Sequence, residues 1–70
     1  MEGAMIVYEP FWETIRKKNI PTYTLIKDYK FSSSTISRLR NNRPISTLTL
    51  NDLCSVLDCN VEDILKYLPD

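Results

Sequence analysis

The residues best equipped for recognition chemistry lie between Ser32 and Arg43. Four hydroxyl side chains stand in a row, Ser32-Ser33-Ser34-Thr35, and three guanidinium groups follow at Arg38, Arg40 and Arg43. Short hydroxyls donate and accept hydrogen bonds, and a guanidinium fork pairs with a guanine edge or with a phosphate. Ser32 is suited to cap a helix, its oxygen accepting from the free N–H groups of the first turn. Within that helix, expected over 33–42, only Ile36 and Leu39 are apolar. Such a helix buries a narrow stripe and leaves the rest of its surface bare. A free helix N-terminus, hydroxyls beside it and arginines further on would suit a DNA major groove. The plainer alternative is a polar helix solvated on three sides, with Ser33 and Ser34 serving the cap alone.

What must hold this helix can be read in order. Ile6-Val7-Tyr8 is β-branched and aromatic and could form a short extended arm, which packs back on the domain or pairs with the same arm of a second copy. Residues 1–4 carry no structural signal, and Met5 could be the natural start. Pro10 suits the beginning of a helix, and Phe11, Trp12 and Ile15 give it an apolar stripe ending in Arg16-Lys17-Lys18. Asn19 is placed for a left-handed cap, and Pro21 prevents continuation. A second helix begins at Pro21 or Thr22, with Leu25, Ile26 and Tyr29 on its buried side and Tyr23 half buried. Only Lys30-Phe31 separates it from the hydroxyl run, so a tight turn is expected with Lys30 at positive φ. Two short helices joined in this way, the second bare and basic, form a helix-turn-helix arrangement.

Asn41-Asn42 and Pro44 end the third helix. Ser46 or Thr47 caps a fourth, in which Leu50, Leu53, Cys54 and Leu57 make one apolar face. Asn60, with Asp63 three residues on, caps a fifth, in which Val61, Ile64, Leu65 and Leu68 repeat the spacing. The expected fold is all-α: five short helices over residues 9–70, preceded by the arm at 1–8, with no strand ladder.

Composition narrows the function. Seventy residues make one domain, and a hydrophobic content of 43% with 26% charged residues is that of a folded chain. The formal net charge is zero, but residues 16–43 hold eight cations against Asp28 alone, and the remaining carboxylates lie on either side. A polyanion responds to the local patch, because screening sets in over about 8–10 Å at physiological salt; the acidic ends weaken binding, so modest affinity per monomer is expected. There is no His and one Gly, which removes the commonest general base and any glycine-rich phosphate loop. Cys54 and Cys59 are not a C-x-x-C pair, and Cys54 falls on an apolar face as a small buried thiol. An enzyme, a metal site, a cofactor or a small-molecule ligand is therefore not expected. No apolar run reaches the roughly 20 residues of a membrane span, and Ala4–Tyr8 is too short for a secretory signal, so the chain is expected in the cytoplasm.

The run Leu25–Asn42, with its serine-rich turn and Thr35-Ile36-Ser37-Arg38-Leu39, followed by Thr49–Leu65 with Leu53-Cys54-x-x-Leu57-x-Cys59-x-x-x-Asp63-Ile64, resembles the Cro/phage-repressor-like (XRE-type) helix-turn-helix proteins, in particular their short stand-alone branch. The resemblance runs from about Tyr8 to Pro69. It implies a lambda-repressor-like domain that binds operator DNA, usually as a homodimer, in a transcriptional regulator that is most often a repressor. Transferred by position, Ser33, Ser34 and Arg38 would face base edges, while Thr22, Ser32, Thr35, Arg40, Asn41 and Arg43 would lie near the DNA backbone. Two positions depart from the family pattern: Lys30 stands where Gly is usual, and Ile26 where Ala is usual, which would set the two helices slightly farther apart. The competing reading is a protein–protein interaction module that keeps the fold without specific DNA binding, using the Ile6–Tyr8 arm or the acidic C-terminal helix.

Overall fold

The computed structural model describes residues 5–69, and the reading of residues 1–4 lies outside them. The elements are β1 (Met5–Val7), α1 (Glu9–Lys17), α2 (Thr22–Lys27), α3 (Ser33–Arg40), α4 (Thr47–Leu57), a single 3₁₀ turn (Val61–Asp63) and β2 (Lys66–Leu68). Four helices thus pack as a lambda-repressor-like domain, and a two-stranded ribbon closes it.

The core draws on every helix. Phe11 and Ile15 come from α1, Leu25 from α2, Ile36 and Leu39 from α3, Leu53 and Leu57 from α4, and Ile64 from beyond the 3₁₀ turn. Tyr8 joins them, and Trp12, Phe31, Leu50 and Cys54 cover the cluster from its margins. Helix α1 is the common wall: its Phe11 N–H donates to Ile64 O at 3.1 Å, and its Thr14 hydroxyl donates to Asp63 O at 2.8 Å.

The ends of the helices follow from local chemistry. Ser32 and Ser46 each accept from the N–H three residues on, at 3.0 Å, and so cap α3 and α4. Asn19, Asn42 and Asp58 are left-handed, and in each case the next residue's N–H reaches back five positions, to Ile15, Arg38 and Cys54. These are Schellman closures made without glycine. Lys30 is also left-handed, with φ 66°, as its place in the tight turn predicts.

The fifth helix is replaced by two other structures. Residues 61–63 make one 3₁₀ turn, in which Asp63 accepts from the Asn60 N–H at 3.0 Å. The chain then extends, and Lys66–Leu68 pairs antiparallel with Met5–Val7 in the register Met5–Leu68, Ile6–Tyr67 and Val7–Lys66. Two physical causes favour the strand. Leu68 precedes Pro69, which disfavours helical backbone, and the Ile6–Tyr8 segment has backbone groups that need a partner. As a result Val61 is exposed, although its spacing with Ile64 suggested a shared buried face.

Helix α2 is also shorter than its apolar pattern implied. It stops at Lys27, so Tyr29 lies in the turn, where helical spacing no longer applies. Leu25 is fully buried, whereas Tyr23, Ile26 and Tyr29 are exposed. Ile26 is thus partly turned to solvent, while Leu25 and Ile36 belong to the core cluster and Phe31 packs against it.

Candidate nucleic-acid interface

Helix α3 is buried along Thr35, Ile36 and Leu39. At about 100° per residue this stripe occupies one side, and Ser33, Ser34, Ser37, Arg38 and Asn41 are exposed on the other. Ser34 and Arg38 are one turn apart and share a row. Among the described residues, no hydrogen bond to the protein engages the hydroxyl of Ser33 or Ser34, so both lie open at the helix N-terminus.

Three of the expected site residues converge. Arg38, Asn41 and Arg43 line a shallow concavity of about 650 Å³ with Ser37, Asn42 and Met5, and among the described residues no carboxylate lines it. Arg43 is held there through its backbone, its N–H donating to Arg38 O at 2.8 Å. The Asn41 amide donates to Ser37 O at 2.9 Å, which fixes the side chain over the end of the helix. Ser37 was not singled out in the sequence; its place between Ser33 and Asn41 at i, i+4 spacing is the signal that marks it.

The other expected residues are used differently. Ser32 and Thr35 bond to each other, hydroxyl to hydroxyl at 3.0 Å, and Thr35 is buried. In the free chain Thr35 thus serves the cap of α3 together with Ser32. Arg40 turns away from the concavity, its guanidinium lying over the Trp12 ring at 5.2 Å from the centroid. Thr22 is half buried at the first position of α2.

Helix α1 fixes the C-terminal end of α3. The Trp12 indole N–H donates to Leu39 O at 3.4 Å, a long bond. Tyr8 makes two contacts with the loop that follows: its backbone N–H donates to Asn42 Oδ1 at 3.0 Å, and its hydroxyl donates to Arg43 O at 2.8 Å. Burial raises the pKa of the Tyr8 phenol, partly offset by the backbone of Ile45. Sequence reading gave Tyr8 no role here, since partners 34 and 35 positions away leave no local pattern.

Among the described residues no three His, Cys, Asp or Glu side chains gather as metal ligands would, and no helix is long and apolar enough to cross a membrane.

Known proteins resemble the chain in two respects. The family model of the Cro/C1-type HTH DNA-binding domain matches residues 11–70. The crystal structure of the transcriptional regulator VanUg, form II, is similar over 100% of this chain and 93% of that one, with a TM-score of 0.86 and 26% sequence identity. No curated protein matches the sequence.

Proposed function

Because the chain belongs to the Cro/C1-type HTH DNA-binding domain family, we propose that it is a sequence-specific regulator of transcription, acting as a repressor in the cytoplasm and binding double-stranded DNA as a homodimer. The observation that carries this reading is the open face of α3, where Ser33, Ser34 and Arg38 stand exposed and Arg38 borders a concavity that no carboxylate of the described residues lines. In this reading α3 enters the major groove, and Ser33, Ser34 and Arg38 meet base edges. Asn41 and Arg43 at its far end, with Thr22 and Ser32 at the two helix starts, meet phosphates and fix the register. Arg40, engaged by Trp12, adds to the positive field. A homodimer would present two copies of α3 about 34 Å apart to successive turns of one duplex face.

Selection of binding sites from random duplex DNA tests the proposal. A palindromic consensus with half-sites about one helical turn apart is expected. Recovery of unenriched sequence would defeat it.

The alternative, an interaction module that binds protein, draws on the ribbon, where Met5, Ile6, Tyr67 and Leu68 are all exposed. Salt separates the two readings: affinity for DNA that falls steeply as salt rises follows from counterion release, and a module of the second kind shows no DNA binding even at low salt.

A further inference from the structure

We propose that Tyr8 is a positioning residue for DNA binding, holding the loop after α3 so that Arg43 reaches a phosphate. The inference rests on the DNA-binding reading and adds to it a residue outside the helix-turn-helix. Arg43 sits in the connection between α3 and α4, where the backbone leaves the helix through the left-handed Asn42. A loop contact to phosphate is useful only if the loop is held before DNA arrives, because ordering it on binding would weaken association. Tyr8 supplies that hold at two adjacent residues. Its N–H is accepted by Asn42 Oδ1 at 3.0 Å and its hydroxyl donates to Arg43 O at 2.8 Å.

The anchor itself is rigid. Tyr8 is 4% exposed and belongs to the core cluster, so the phenol cannot swing away without leaving a cavity. Its backbone is flanked by β1 on one side and α1 on the other. On the loop side, the Arg43 N–H is already bonded to Arg38 O at 2.8 Å. Both backbone polar groups of Arg43 are therefore engaged while its side chain remains exposed. The side chain of Asn42 is used as an internal acceptor, which assigns it to shaping the loop and leaves Asn41 and Arg43 to face outward.

The test is a double-mutant cycle measured as DNA affinity on a selected site. Tyr8→Phe keeps the ring in the core and removes only the donor to Arg43 O. Loss of one such bond is expected to weaken binding by about three- to tenfold. Asn42→Gly, which keeps a left-handed backbone and removes the acceptor, serves as the second variant and should act in the same direction. The decisive comparison is the background Arg43→Ala: there Tyr8→Phe should cost almost nothing further, since the contact it positions is gone. A fold or stability role alone would give the same loss in both backgrounds, and that result overturns the proposal. If the wild-type chain and Arg43→Ala behave as the DNA reading expects but Tyr8→Phe binds normally, only this inference fails. If the wild-type chain binds no DNA, both fail.

Discussion

The guanidinium of Arg40 lies over the face of the Trp12 indole, 5.2 Å from its centroid. This pair joins the end of α3 to α1 on the side away from the concavity that Arg38 and Arg43 share. Trp12 is in turn edge-on to the fully buried Phe11, with centroids 4.9 Å apart, so the contact connects a surface cation to the core. An exposed cation–π pair contributes about 0.5–1 kcal/mol. Arg40→Ala should therefore lower the melting temperature by a few degrees and alter the fluorescence of Trp12, the only tryptophan, while sequence preference on DNA stays unchanged. Unaltered emission together with an unaltered melting temperature would show that the stacking carries no weight in solution.

Arg38 and Arg43 border one concavity but are expected to act differently. Arg38 projects from the exposed row of α3 one turn beyond Ser34, where a guanidinium meets base edges. Arg38→Ala should cost about 1–3 kcal/mol on the preferred site and relax one base position. Arg43 projects from the loop, so Arg43→Ala should weaken all sequences alike and reduce the salt slope by about one. Affinities on matched and scrambled duplexes across a salt series separate the two outcomes. An identical, salt-independent loss for both would remove the division of roles.

Much of this geometry was legible because the signals are local. The hydroxyl run specifies a cap at Ser32, the spacing of Leu53 and Leu57 specifies a buried face of α4, and Asn19 and Asn42 mark left-handed helix ends. What was not legible depends on distant partners or on early termination. Val61, Ile64, Leu65 and Leu68 have the spacing of a helix, but pairing with β1, a segment at the other end of the chain, turns the last of them into a strand. Tyr29 looked buried only under the assumption that α2 runs past Lys27, whereas Ile26 lies within α2 but on its more exposed side. In the candidate interface, exposure of Ser33, Ser34 and Arg38 followed from the narrow stripe. The inward turn of Thr35 and the two bonds of Tyr8 arise from packing, which a pattern along the chain does not encode.

Lys30 occupies a left-handed conformation, φ 66°, in the turn between α2 and α3. A side chain with a Cβ is strained there by roughly 1–2 kcal/mol, and glycine is not. Lys30→Gly relieves that strain but gives the unfolded chain more freedom, an opposing effect of about 0.4–1 kcal/mol. A net gain of about 0.5–1 kcal/mol in unfolding free energy is expected by urea titration. The same change removes a cation beside α3, so DNA affinity should fall slightly while stability rises. A loss of stability would mean that the Lys30 side chain makes compensating contacts in the turn.

Alkaline pH should weaken the fold through Cys59. Its thiol pKa is pushed up from 9.0 to about 11, chiefly by burial and then by the neighbouring Cys54 and Asp63. Well below pH 9 the thiol is protonated in both the folded and unfolded chain, and it adds no pH dependence. Between about 9 and 11 the unfolded chain releases this proton while the folded chain retains it, so unfolding gains and stability declines as pH rises. The buried Tyr8 phenol, raised above 10.0, acts in the same direction at the upper end of that range. Urea midpoints measured with reductant from pH 8 to 11 should fall for the wild-type chain and fall less steeply for Cys59→Ser, whose hydroxyl does not titrate there. The comparison is of slopes, so any constant effect of the substitution drops out. Parallel slopes for the two chains would exclude Cys59 as the group responsible.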